Sequence, residues 1–165
     1  MKIKTLASIL ALITLIVAAN SNAQTTGWNS FDSGLEAAKS SNKKVLIDVY
    51  TDWCGWCKKM DAEVYTDAAV KDYLGKNFVI IKLNAESDGT IHYKGREYTH
   101  PQIAAAFGIN GYPTTIFLKE NGDPITLLPG FLDASKFIYV LSYIAENEFE
   151  HKPFDTYLKE KGVQQ

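Results

Sequence analysis

Both cysteines of this 165-residue chain lie in one short run, Trp53-Cys54-Gly55-Trp56-Cys57-Lys58. Two thiols at this spacing on a helix start lie about one turn apart. The run follows Val45-Leu46-Ile47-Asp48-Val49-Tyr50. That segment is rich in strand formers, interrupted by one acid, and suits a central strand covered on both faces. Free backbone N–H groups and the dipole at a helix start favour an anion. Cys54 sits there, so its thiol pKa should be depressed, and Cys57 should be more covered. The chemistry this allows is exchange: one thiol attacks, and the other resolves the mixed disulfide. A purely structural cross-link closing so small a loop gains little. A zinc site needs two more ligands; His92, His100 and His151 show no ligand spacing, and no metal site is expected. Covalent haem attachment wants a histidine where Lys58 stands. A copper carrier using the same two thiols stays open.

The rest of the composition narrows the class. Hydrophobic residues make up 46% and charged residues 22%, which fits one globular domain and not a disordered chain. Net charge is −2 with no basic block, so no nucleic-acid partner is expected. Lys2 and Lys4 precede an uncharged stretch, Leu6 to Ala19, and then Asn20-Ser21-Asn22-Ala23. This is the layout of a secretory signal, with Ser21 and Ala23 at the cut. Fourteen apolar residues are short of the roughly 20 that span a bilayer. Residues 1–23 are therefore expected to be a cleaved signal peptide, 24–148 the domain, and 149–165 a C-terminal extension. No cysteine at the cut offers a lipid anchor, and no twin-arginine pair is present. The protein is expected to be periplasmic or secreted, where disulfides persist.

The elements that would position the cysteines follow in order. Ser30-Phe31-Asp32 can start a helix through Lys39. The strand at 45–50 leads to a helix from Cys54 to about Glu63. Thr66-Asp67 can cap a helix through Leu74, which Gly75 would end. Phe78 to Leu83 reads as a second buried strand. The polar segment Ser87–Thr99 can hold a small hairpin around Lys94-Gly95. Pro101, capped by Thr99 or His100, starts a helix to Phe107, with Gly108 behind it. Thr114–Leu118 and Ile125–Leu128 are strands joined through Asn121-Gly122. Asp133 caps a helix with Phe137, Ile138, Leu141 and Ile144 at helical spacing. The expected class is α/β: a mixed sheet of four to five strands with helices on both faces.

With these motifs in place, the sequence resembles the thioredoxin superfamily over roughly residues 30 to 147. The form Asp52-Trp53-Cys54-Gly55-Trp56-Cys57-Lys58-Lys59-Met60, with Tyr65-Thr66-Asp67 following, is similar to exported bacterial thioredoxin-like proteins. It also resembles the C-terminal domain of membrane thiol:disulfide interchange reductases. The resemblance implies the thioredoxin fold and a redox-active Cys54–Cys57 disulfide. It implies that Asp48 is the buried acid that relays a proton for the resolving cysteine, with Lys82 near it. In Gly111-Tyr112-Pro113-Thr114 it implies a cis proline facing the disulfide, a costly and specific feature. The backbone at 112 could then pair with an extended substrate segment. It also implies that Gly130 lines the same groove. Trp53 matches a family tryptophan. Trp56 departs from the usual Gly-Pro pair between the cysteines, which leaves the direction of electron flow open. Ser87–Thr99 and the tail after 148 depart from a minimal thioredoxin.

The expectation is an exported thiol–disulfide oxidoreductase, reductive in direction, that needs no bound cofactor. Cys54, Cys57, Asp48 and Lys82 would do the chemistry. Trp53, Gly55, Trp56, Tyr112, Pro113 and Gly130 would hold the substrate, with Ile109 extending the rim. Its partners would be protein thiols and disulfides and an external redox partner, such as a membrane thiol:disulfide interchange reductase. A monomer is expected. The alternatives are a disulfide-donating oxidase, or a non-enzymatic chaperone or copper carrier of the same fold.

Overall fold

β1, Lys44–Tyr50, lies inside the sheet, and its side chains alternate between two cores. The computed structural model describes residues 27–163. The segment 1–23, expected from the sequence to be a signal peptide, lies outside the described residues. Val45, Ile47 and Val49 face one core with Phe31 and Ala38 of α1 (Phe31–Ser41) and Ile103 and Ala104 of α4 (His100–Ala106). Leu46 faces the other, with Met60 of α2 (Gly55–Glu63), Val70 and Leu74 of α3 (Ala68–Asn77), and Phe137, Leu141 and Ile144 of α5 (Ala134–Ala145). A strand that is apolar on both faces must be sandwiched this way.

β1 pairs in parallel with β2, Phe78–Asn84, and antiparallel with β5, Thr114–Leu118. β5 pairs antiparallel with β6, Pro124–Pro129. The sheet order is β2-β1-β5-β6. The main sheet therefore has four strands and the expected thioredoxin-like architecture. A one-residue parallel bridge, Asn29 to Ile81, adds to the outer side of β2. The polar segment after β2 folds as a separate ribbon, β3 (Thr90–Tyr93) and β4 (Arg96–Thr99), turned at Lys94 and Gly95 with φ of 49° and 76°. It packs on α1, where Asp32 accepts the His92 backbone N–H at 3.0 Å and meets its ring Nδ1 at 2.7 Å. The Tyr93 hydroxyl donates to Gly122 O at 2.8 Å, across the β5–β6 turn.

The caps explain most helix starts. Asp67 accepts from Ala69 and Val70, Asp133 accepts from Lys136, and Thr99 with Gln102 forms a capping box. Ser30 holds the cap position of α1 but its hydroxyl meets Ser33 Oγ at 2.7 Å instead of the backbone. Gly75 does not end α3, which runs on to Asn77. The Asn77 amide donates to Tyr73 O and Lys43 Nζ donates to Gly75 O, which satisfies carbonyls of the last turn. After α5, a 3-10 turn (Glu148–Glu150) and α6 (Phe154–Glu160) lay Tyr157, 1% exposed, against α5, its hydroxyl 2.7 Å from Ser142 Oγ.

α1 can lie close on β2 because residue 34 is glycine. A Cβ there would come within 2.3 Å of Ile81 Cγ1, which belongs to a fully buried side chain. Alanine gains up to about 1 kcal/mol in helix propensity, but the overlap costs about 1–3 kcal/mol. Gly34→Ala should therefore lower stability by about 1–2 kcal/mol, read as a lower midpoint in urea unfolding; an unchanged midpoint would show that α1 slides away freely.

Candidate active site

Cys54 caps α2 in an extended conformation (φ −71°, ψ 105°), and its sulfur accepts the Cys57 backbone N–H at 3.1 Å. The two sulfurs are joined at 2.04 Å, with Cα atoms 5.3 Å apart. The loop that delivers Cys54 is closed by its own N–H donating to Thr51 O at 3.2 Å. Both cysteines are nearly covered, at 4% and 2% exposure, so burial alone hardly separates them. Position does: Cys54 holds the cap, where the helix start favours a thiolate, while Cys57 lies on the buried face of α2 with Met60. Gly55 is exposed at the first helical position.

On the face of β1 that α2 covers stands Asp48, with no exposed surface. Across the ladder its register partners are Lys82 on β2 and Thr115 on β5. Lys82 Nζ donates to Asp48 Oδ2 at 2.5 Å and also to Asp61 Oδ1 on α2. Three rings surround the same ammonium, with centres at 4.8 Å (Trp28), 4.9 Å (Tyr50) and 5.4 Å (Tyr65). Burial pushes the Asp48 carboxyl above the ordinary carboxylate range, and the Lys82 charge and hydrogen bond recover only part of that. Burial alone would lower Lys82; the charge and hydrogen bond of Asp48, then Asp61, outweigh it and the net shift is upward. Asp48 Oδ1 and the Tyr65 hydroxyl both lack a hydrogen bond of good geometry, though the hydroxyl lies close enough to act on the Asp48 carboxyl. Burial, and then the Asp48 charge, hold that hydroxyl well above the usual tyrosine range.

The Tyr112–Pro113 bond is cis. The Tyr112 ring meets Trp53 edge to face at 6.0 Å, which sets this bond beside the cysteine loop. Gly130 donates its N–H to Pro113 O at 2.8 Å, and its φ of +87° is a conformation for which glycine is suited. Thr114 Oγ1 donates to Gly111 O at 2.8 Å and steadies the same turn. Trp53 and Trp56 are the two most exposed large apolar side chains among the described residues, at 66% and 59%. Trp56 rests on Phe131 with ring centres 5.4 Å apart. Ile109 is partly buried and packs with the α1–α4 core, as Tyr112 does.

Of the residues singled out in the sequence, Trp53, Cys54, Gly55, Trp56 and Cys57 share one loop and helix start. Tyr112 and Pro113 join them through the Trp53–Tyr112 contact, and Gly130 follows through Pro113 O. Asp48 and Lys82 pair in the middle of the sheet, tied to α2 through Asp61, and Ile109 packs into the α1–α4 core. Sequence reasoning missed Asp61, Trp28, Tyr65, Glu86 and Phe131. Asp61 stands four residues after Cys57, one helical turn on, so its spacing carried a signal. Trp28, Glu86 and Phe131 arrive from distant segments and carried none.

These features define a thioredoxin fold that carries a Cys-x-x-Cys disulfide at a helix start. The chain belongs to the thioredoxin-like domain family, whose profile matches residues 31–145. It is 29% identical over 107 residues to the thiol:disulfide interchange protein DsbD of Actinobacillus pleuropneumoniae serotype 5b (strain L20), covering 64% of this chain and 17% of that protein. The chain therefore matches only about a sixth of that relative's length. Among solved structures, the oxidised C-terminal domain of Neisseria meningitidis DsbD is 25% identical, with a TM-score of 0.51, covering 70% of this chain and 99% of that one. A thioredoxin-fold protein from Helicobacter pylori superposes with a TM-score of 0.61 at 19% identity, over 74% of this chain and 86% of its own, a likeness of fold alone.

An acid whose folded-state pKa is raised stabilises the fold only while it keeps its proton. As pH rises from the unfolded value, about 4, through the higher folded value, ionised Asp48 loses that contribution. In Asp48→Asn, Lys82 keeps Asp61 and its three rings, so no ammonium is stranded. Asp48→Asn should therefore raise unfolding free energy at pH 8, with the gain vanishing below about pH 4. A variant less stable than wild type at pH 8 would show that the ion pair outweighs the burial.

Proposed function

We propose that the protein is an exported reductase of protein disulfides. The observation that carries this direction is the charge behind the dithiol: Asp48 and Asp61 share the single ammonium of Lys82. A strongly oxidising pair is one whose reduced, thiolate form is stabilised. A cluster with more acid than base behind the cysteines opposes a thiolate and favours the reducing direction. The basic start, apolar stretch and small residues at 1–23 support export to the periplasm or beyond, where the clients' disulfides would be found. No helix among the described residues is long and apolar enough to cross a membrane.

In the reductive cycle the Cys54 thiolate attacks one sulfur of a client disulfide. The client's other sulfur leaves as a thiolate. Asp48 takes the proton of the Cys57 thiol, holding it on the oxygen without a hydrogen bond. Cys57 then attacks the Cys54 sulfur and releases the second client thiolate. The client thiolates are protonated, and the enzyme is left as the Cys54–Cys57 disulfide. Trp53, Trp56 and Tyr112 cover the client around the reacting sulfurs, while Pro113, Gly55 and Gly130 keep the groove open to a backbone. Both cysteines of the sequence are in the pair, so its two electrons are restored by a dithiol from outside this domain. A membrane thiol:disulfide interchange reductase is the class of donor that the likeness to DsbD supports.

Supplied with a dithiol donor and a protein disulfide, the wild type should turn over. Cys54→Ser should abolish turnover, and Cys57→Ser should accumulate client–Cys54 mixed disulfides visible on non-reducing gels. Asp48→Asn should slow turnover between pH 6 and 8. Trapping at Cys57 instead of Cys54 would reverse the two roles, and normal turnover of Asp48→Asn would remove the proton relay.

A further inference from the structure

Trp53 is two-thirds exposed, yet its indole is held on two sides. Its Nε1–H donates to Glu86 Oε2 at 2.8 Å, and its ring meets Tyr112 edge to face at 6.0 Å. Glu86 reaches it from the turn that follows β2. That turn is tied down at several points. Ala85 donates to Tyr50 O at 2.9 Å, and the Asn84 side chain accepts the Glu86 N–H at 3.0 Å. The same side chain donates to Asp52 Oδ1 at 3.1 Å, and His100 Nδ1 meets Asn84 O at 2.8 Å. The carboxylate is therefore presented from a fixed backbone.

Its charge is also free to act on a partner. Among the described residues no ion pair neutralises Glu86, and its field, after burial, contributes to the upward shift of the Tyr112 hydroxyl. Glu86 thus stands beside residue 112, where the backbone would receive a client strand. At the other end of the rim, Lys59 Nζ lies 5.7 Å from the centre of the Phe131 ring on which Trp56 rests, and its charge is met by Glu63 at 2.8 Å. The aromatic rim accordingly has an uncompensated negative charge at the Trp53 end and a compensated positive one at the Trp56 end.

We propose that Glu86 is a positioning and specificity residue: it holds Trp53 against Tyr112 and selects client segments with a basic residue beside the disulfide cysteine. This rests on the reading that the site exchanges disulfides with proteins. A charge at the rim of an interface acts mainly on capture and is screened by salt. Glutamine keeps an acceptor for the indole and loses the charge, whereas alanine loses both, so the two substitutions separate the roles.

The test compares two peptide disulfides that differ only in Lys or Glu beside the cysteine, with reduction rates measured at low and at physiological salt. A small neutral aromatic disulfide serves as a third substrate. The wild type should prefer the Lys peptide about two- to fivefold in kcat/KM, the size an exposed ion pair can supply. The preference should lie in KM and shrink with salt. Glu86→Gln should bring the ratio close to one, and only Glu86→Ala should also displace the Trp53 indole N–H resonance strongly. Equal rates with the two peptides in the wild type, or a preference that survives Glu86→Gln, would overturn the inference. Reduction of the small disulfide with neither peptide reduced would overturn it while leaving dithiol exchange standing. Failure with all three substrates would overturn the disulfide-exchange reading as well.

Discussion

A carboxylate sealed from water must find partners or take up a proton. At the centre of this sheet Asp48 does part of each. Its one firm bond is to Lys82 at 2.5 Å across the parallel ladder, and its second oxygen has no good hydrogen bond. Much of the neighbouring structure serves this pair. β1 and β2 must keep the register that sets residues 48 and 82 side by side. α2 must bring Asp61 to the same ammonium while it carries both cysteines. Trp28, Tyr50 and Tyr65 must close around the lysine. The outcome is an acid held in the same layer as the buried face of the cysteine helix, with a proton affinity above that of a surface aspartate.

The chemical surface is built differently. It consists of exposed aromatic rings, each steadied by one neighbour: Trp53 by Tyr112 and Trp56 by Phe131. Exposed rings of this size are anchors for a partner that covers them. The cis peptide before Pro113 is tied to Gly130, whose N–H donates to Pro113 O and beside whose Cα there is open space. Under the proposed function, such a surface would tolerate many client sequences, because backbone pairing and aromatic cover ask little of any side chain. Charge at the rim is then the feature left to discriminate among clients.

Most of this organisation could be read from the sequence, for local reasons. The cysteine spacing, the apolar strand that flanks Asp48 on both sides, and the caps at Asp67, Thr99 and Asp133 each act over a few residues. They led to the same elements that the structure shows. The end of α3 was misplaced because a glycine can stay helical when lysine and asparagine side chains bond the last carbonyls. The main sheet has four strands because the segment at 90–99 pairs with itself on α1. Trp28, Glu86 and Phe131 escaped notice because their roles exist only once distant loops meet, and no local pattern encodes a hydrogen bond between residues 53 and 86. Asp61 could have been found, since one helical turn separates it from Cys57.

Under the proposed function, the acidic cluster of Asp48 and Asp61 around Lys82 keeps the cysteine pair reducing. The most direct test is the reduction potential of the Cys54–Cys57 couple, measured by equilibration against a dithiothreitol or glutathione buffer. A pair kept reducing by that cluster should show a value toward the thioredoxin end, about −270 mV. A value near that of a strong disulfide donor, about −120 mV, would contradict it and make the protein a source of disulfides for its clients.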